Sequence, residues 1–412
     1  MKSLIKYLWT IVLFGILSCQ TNDNPLEQVI AEDSDLSIIA NDPQFEVQIL
    51  YTQVDRDESQ NPKFTTYSFG VDSNRYFYPA STVKFPASLL ALEKINELGV
   101  ENLDKWTRMI TDSAYSRQSR VLNDSTSPDA SPSIGHYIRK ILITSDNDAF
   151  NRLYEFLGQD DLNGSLRSKA YDDARIIHRL SIGRTPDENL HTNPIRFYQG
   201  DSLVYQQQLV KSSGNYLIED QILKGVGFMS GGELVNAPMD FTNKNFFPLD
   251  EQHRMMKSVM FPEYFDESVF DLTAKDYEFL YRNMALLPTE SGIDAYENDP
   301  EHFYEAYCKF LMFGSDPGED IPDHIRIFDK IGLAYGYCID NAYIVDFENN
   351  IEFFLSAVIH TNANQVFNDG QYEYDAIAFP FMKKLGWAVH QLELDRQRQN
   401  QPDLTTLKKL FE

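Results

Sequence analysis

Apolar residues fall into stretches of strand-like and helix-like spacing, and the order of those stretches is informative. Phe45 to Val54 alternates in part and is rich in β-forming residues, Asp55 to Lys63 is turn-like, and Phe64 to Val71 reads as a second strand. That pattern predicts a hairpin. From Ala80 to Leu98 the apolar positions Val83, Leu89, Leu90, Leu92, Ile95 and Leu98 fall mostly on one helical face, and Gly99 ends the run. Asn123 to Pro132 is a Ser/Asp/Pro-rich loop. Helices are predicted over Ile134 to Thr144 and Asp148 to Leu157, the second stopping at Gly158. Between residues 196 and 262 Asn, Gly and aromatic residues predict short strands and turns. Helical spacing returns at Thr273 to Leu286 and Glu301 to Phe313. Ile325 to Ala334, Ala342 to Phe347 and Ile351 to His360 then read as strands, and Asp375 to Leu394 as a terminal amphipathic helix.

Strands at both chain ends with helices between them predict an α/β (α+β) enzyme of two lobes, an antiparallel sheet flanked by helices beside an all-helical lobe. The expected organisation is a leader over 1–18, a flexible tether over 19–42, one domain over 43–398 with a long insertion at about 196–262, and a tail over 399–412. The tether is expected because residues 20 to 42 are polar and acidic with few large apolar groups.

The leader changes the picture of where the chain resides. Lys2 and Lys6 precede a short apolar run, Leu8 to Leu17, well under the ~20 residues that span a bilayer. Ile16-Leu17-Ser18-Cys19 resembles a bacterial lipoprotein box. That resemblance implies lipidation of Cys19 and anchoring to a bacterial membrane, facing periplasm or exterior. An ordinary signal peptide is the alternative. The net charge of −26 over 412 residues repels phosphate backbones and argues against nucleic acid as a partner. Cys308 and Cys338 are the remaining cysteines and are expected as buried free thiols. The histidines lack metal-ligand spacing, so neither metal nor other cofactor is expected.

Three short motifs carry the candidate chemistry. Ser81-Thr82-Val83-Lys84 opens a helix, which sets the amine one turn from the hydroxyl. A serine needs a base to become a nucleophile, and an amine desolvated beside other cations can be that base. The helix start offers N–H groups to an oxyanion. Ser3-Leu4-Ile5-Lys6 matches the same pattern inside the leader, so the motif alone is weak. Ser145-Asp146-Asn147 lies between two helices, where capping is the plain explanation. In a functional role Ser145 relays a proton to a leaving nitrogen, Asn147 binds a substrate amide and helps fix Lys84, and Asp146 holds the loop. Lys330-Ile331-Gly332 lies on a predicted strand, with Lys330 placed to bind a carboxylate and Gly332 to admit a substrate backbone. Lys384-Leu385-Gly386 falls inside a helix and is a decoy.

Together these motifs and their flanks, YPASTVKFPASLLALEKI, ILITSDNDAFNRL and DKIGLAYGYCIDNAYIVDF, resemble the class A β-lactamase and penicillin-binding-protein superfamily. The resemblance runs over most of residues 45 to 395. It implies acylation of Ser81 by a small-molecule β-lactam or a D-alanyl peptide. In it Lys84 activates the serine, Ser145 passes the proton on, Lys330 holds the substrate carboxylate, and the N–H groups of Ser81 and Leu333 form the oxyanion hole. The chain departs from the pattern at Ile331, where threonine is expected, and in the stretch IHRLSIGRTPDENL, where Ser181 stands at the spacing of the deacylating glutamate. Glu188 is a candidate for that role with a shift of several residues. A class A-type β-lactamase is the first reading. A D-alanyl-D-alanine peptidase acting on cell-wall stem peptides, or a non-catalytic binder of the same fold, are the alternatives.

Overall fold

The computed structural model describes residues 24–216 and 220–412. The expected leader and Cys19 lie outside the described residues. A five-stranded antiparallel sheet forms the centre, in the order Ile325–Ala334, Tyr337–Asp346, Ile351–His360, Gln48–Arg56, Pro62–Phe69. The chain's first strand closes onto its last long one, with Ile49 opposite Ala357. Helices cover both faces of the sheet. On one face Phe379–Asp395 packs with Met382, Leu385 and Val389 inward. On the other lies Leu249–Met260, whose His253 bridges Thr52 Oγ1 (2.7 Å) and Ser356 Oγ (2.8 Å).

Beside the sheet stands a helical lobe built on Lys84–Glu97, Ile134–Thr144, Asn147–Leu157, Gln159–Ser168 and Ala274–Ala285. Its interior is Leu89, Leu92, Ile138, Ile141, Phe150 and Leu153, all fully buried or nearly so. The two expected lobes are therefore both present. The helices at 84, 134, 147 and 274 start within a few residues of their expected positions because each has a strong apolar stripe and its own stop signal.

Four expectations need correction. Residues 25 to 41 are not a tether. Pro25–Glu32 and Ser34–Asn41 are helices capped by Asn24 and Asp33, and Leu26, Ile30 and Leu36 are buried against Phe379–Asp395. Each helix has only one or two core residues, so an average over the stretch looks polar. The end of the chain is likewise docked, with Leu404 buried and Phe411 against the core and over Phe328. Glu301 to Phe313 is a run of turns rather than a helix. Its apolar residues are buried, but Met312, Gly314 and Ser315 have φ of 68°, 62° and 49°, and the Leu311 N–H is taken by Asp340 Oδ2 at 2.9 Å. The insertion contains the expected short strands, but its last part is the sheet-covering helix Leu249–Met260.

Candidate active site

The Lys84–Glu97 helix is preceded by a 3-10 turn, Ala80–Val83, that rests directly on the strand Ile325–Ala334. Thr82 ties the turn down by donating its hydroxyl to the Pro79 carbonyl at 2.8 Å. Ala80, immediately before Ser81, is 3 % exposed and held at φ 50°. A non-glycine residue in that region is strained and persists only where packing over-determines it. The packing partner is Gly332: a Cβ there would stand 2.8 Å from Pro79 O and 3.2 Å from Ala80 Cβ. The sequence predicts room for a substrate backbone at Gly332; the structure gives that room to the turn that carries Ser81.

The second motif joins two helices through opposite caps. Ser145 ends Ile134–Thr144 at φ 57°, its N–H bonded to Ile141 O. Asp146 starts Asn147–Leu157 by accepting the Ala149 N–H at 2.7 Å. Capping and chemistry thus coincide in one tripeptide. Asp146 is used up by the cap and by Lys140 at 3.6 Å, while Ser145 is turned toward the sheet.

There it meets both lysines. Lys330 Nζ donates to Ser145 Oγ at 2.8 Å and to its neighbour's carbonyl, Ile331 O, at 2.9 Å. Lys84 Nζ donates to the Ser145 carbonyl and lies 3.3 Å from Ser145 Oγ. One hydroxyl is therefore shared by two lysine amines from different elements. Lys84 is 0 % and Lys330 3 % exposed. Burial, then the neighbouring charge of Lys330, pushes the Lys84 amine well below its ordinary value. Burial pushes Lys330 down to about 8, against the pull of the groups around it. Desolvation penalises the charged form, and a second cation nearby adds to it. The result is one amine biased to be a base and another nearer its cationic form. Asn147 does not fix Lys84 among the described hydrogen bonds; the Ser145 carbonyl and hydroxyl do.

Ser81 opens onto two adjoining cavities. One, of about 330 Å³, contains Ser81, Ser145, Ile331 and Leu333 and is walled by Tyr304, Tyr307 and Cys308. The other, of about 430 Å³, contains Ser81, Asn147, Leu333, Leu180 and Ser181 between Tyr78 and Tyr335. Ser81 and Leu333 are common to both cavities, Ser145 lines the first and Asn147 the second, and Lys84 and Lys330 both meet Ser145. Gly332 shapes the site from behind.

Glu188 does not line either cavity. Its carboxylate accepts the Thr185 N–H at 2.9 Å in a capping box, and Ser116 Oγ at 3.1 Å, with Arg117 at 3.5 Å. These bonds, the Thr185 N–H foremost, hold its carboxyl below the ordinary value. The acid is a structural cap here. Ser181 lines the second cavity together with Ser81, and no Asp or Glu is among the described residues lining the two cavities.

Several residues that build the site carry no motif. Asn151 pairs with Leu180 in both directions, Nδ2 to O at 3.0 Å and N to Oδ1 at 2.9 Å. Asn163 does the same with Ile176, and Asn245 Oδ1 accepts the N–H groups of Ile177 and His178. Three buried amides thus clamp the 176–181 loop by its backbone. Asparagine inside a helix is a weak sequence signal, since it is a poor helix former. Beneath the sheet, Lys309 donates to Asp329 at 2.5 Å and to Met284 O and Ile327 O. Burial raises Asp329 and, strongly, Asp340, whose bond to Leu311 positions the turn behind Cys308. Burial pushes the Cys308 thiol up to about 12, and both Cys308 and Cys338 are free and buried. No group of His, Cys, Asp and Glu able to hold a metal is found among the described residues.

Comparison with known proteins agrees with the motifs. Residues 32–222 match the sequence model of the beta-lactamase enzyme family. No curated protein matches the chain. A β-lactamase from Sphaerobacter thermophilus aligns with TM-score 0.47 and 12% identity over 89% of this chain and 96% of its own. PBP-A aligns at 0.47 and 13% over 90% and 97%, and a class A β-lactamase from Clostridium kluyveri at 0.46 and 12% over 89% and 97%. The stretch matched by the beta-lactamase enzyme family model is the one that carries Ser81, Lys84, Ser145 and Asn147.

Proposed function

We propose that the protein is a serine hydrolase that forms an acyl-enzyme on Ser81 from β-lactam amides or from D-alanyl peptides. The observation that carries this reading is the Ser145 hydroxyl shared by Lys84 and Lys330 beside Ser81. Ser81 Oγ attacks the carbonyl carbon, and its proton passes to the neutral Lys84 amine. Ser145 hands a proton to the leaving nitrogen as the amide C–N bond breaks, and takes one back from Lys84. Lys330, the more readily charged amine, pairs with the substrate carboxylate. The oxyanion is received by the N–H groups of Ser81 and Leu333.

Deacylation separates β-lactamase from peptidase behaviour. Water needs a base on the acyl-enzyme, and the loop offers Ser181 where a carboxylate would serve. On β-lactams the acyl-enzyme therefore accumulates, which is the behaviour of a peptidase-type enzyme. The family match favours rapid turnover instead, and the two are told apart directly. Intact mass is followed with time after mixing with a penicillin. A persistent adduct lost in Ser81→Ala supports the proposal. Rapid return to unmodified protein with penicillin consumed supports a β-lactamase. Absence of any adduct overturns both. Anchoring to a bacterial membrane through a lipid on Cys19 belongs to the same proposal, tested by metabolic palmitate labelling of the parent and Cys19→Ser.

A further inference from the structure

The loop that lines the Ser81 cavity with Leu180 and Ser181 turns its other residues into a third cavity of about 470 Å³. His178, Arg184 and Lys244 line it, together with the aliphatic Ile177, Ile182 and Leu190. The wall between the two cavities is thin. Tyr78 of the Ser81 cavity stacks on His178 at 6.1 Å and 5°, and Lys244 Nζ lies 5.8 Å from the ring centre of Tyr335.

This cavity is basic in a chain of net charge −26. No Asp or Glu lines it among the described residues. Lys244 has no ion pair and no side-chain hydrogen bond among the described residues. Among the described residues Arg184 donates only to carbonyls, Gly183 O at 3.1 Å and Arg117 O at 2.7 Å. The acids nearest its charge are committed elsewhere: Glu155 to Arg152 and Arg179, Glu188 to its cap. The buried Arg175 guanidinium also has no hydrogen-bond partner among the described residues. Buried or half-buried cations are normally paired, so this grouping favours an anion.

His178 narrows the choice of anion. Its Nδ1 is bonded to the Arg179 carbonyl at 2.7 Å, and a carbonyl only accepts, so Nδ1 carries the proton. Its Nε2 is buried with no partner among the described residues. Burial first, and then the charges of Lys244 and Arg175, oppose a second proton on the ring. Nε2 is therefore an acceptor waiting for a donor. A carboxylate by itself supplies none, and hydrogen phosphate supplies an O–H but nothing for the aliphatic walls; a peptide supplies both an N–H and methylenes.

We infer that this cavity binds an acidic residue of a peptide, its carboxylate taken by Lys244 and Arg184 and a backbone N–H by His178 Nε2. The aliphatic walls receive the methylenes of that residue. Under the proposed function, which this part rests on, the acidic residue lies on the acyl donor, and the shared loop aligns it with Ser81.

The test is equilibrium binding to the full chain by calorimetry. The probes are racemic N-acetylglutamic acid α-amide, its glutamine counterpart and inorganic phosphate. The glutamic probe is expected to bind ~10-fold tighter than the glutamine one, the scale of a charge-assisted bond, with the difference shrinking in salt. The double variant Lys244→Gln/Arg184→Gln is expected to lose that difference, while circular dichroism verifies its fold. Equal binding of the two amides, tighter binding of phosphate, or an unchanged preference in the folded double variant overturns the inference. Penicillin adducts measured on the same samples keep the two proposals apart. An adduct without amide discrimination sinks the acidic-residue site alone. Discrimination without an adduct sinks the acyl-enzyme reading alone.

Discussion

The methyl group that Gly332 lacks would stand 2.8 Å from the carbonyl oxygen of Pro79. That distance couples the third motif to the first. The strand bearing Lys330 and the turn bearing Ser81 are in backbone contact, and the strained Ala80 is wedged between them at φ 50°. Gly332→Ala forces the turn away from the strand. Overpacking of this kind costs about 1–3 kcal/mol, and the displaced serine loses alignment. We expect a melting temperature lower by several degrees and acylation slowed ~100-fold, a loss typical of a misplaced reacting group. Normal acylation by Gly332→Ala in a stopped-time mass assay contradicts the contact.

The two lysines set the pH dependence. Lys84 acts when neutral, so acylation rises with pH through its depressed value. Lys330 acts when charged, so acylation falls as the pH passes about 8. A bell-shaped profile with its falling limb near pH 8 is expected, and Lys330→Arg should carry that limb to higher pH because the guanidinium stays charged. A limb that stays in place in Lys330→Arg assigns it to another group.

The same burial governs stability. Lys330 has its folded value near 8 and an unfolded value of about 10.4. Between them the unfolded chain binds more protons, so stability rises with pH over that window, and the full penalty of the buried charge is present below it. Lys84, also depressed by its burial and by the charge of Lys330, adds a rise of the same sign. Lys330→Met should flatten the upper part of this dependence in urea titrations run from pH 7 to pH 10.

Ser181 lines the second cavity with Ser81 and already lies at φ 55°, so glutamate at this position adds no new backbone strain. Ser181→Glu places a carboxylate beside the acyl bond. General-base assistance is worth roughly 10²–10⁴-fold. The lifetime of the penicillin adduct is expected to fall by at least ~10-fold with the acylation rate little changed. An adduct as long-lived as the parent's shows that the loop does not present this position to the water.

Asn151 and Leu180 exchange two hydrogen bonds in the buried interior. Asn151→Ala leaves the Leu180 N–H and C=O unpaired, at about 1–3 kcal/mol for each stranded group. Hydrogen exchange should quicken across residues 176–181 more than in the central sheet. Uniform protection in the variant shows that Asn163 and Asn245 hold the loop without it.

The motifs, the strong helices and the sheet strands were legible in the sequence because each depends on neighbours a few residues away. The spacing of Ser81 and Lys84 follows from helical geometry, and Asp146 reads as a cap for the same reason. What the helix at Pro25–Glu32 buries, where Glu188 spends its carboxylate, and why Gly332 has no side chain depend on partners up to hundreds of residues distant. Residue order alone names the groups able to do chemistry. That Lys84 and Lys330 share one serine hydroxyl in a buried space follows from the folded arrangement, because desolvation and mutual charge exist only once the lobes pack around them.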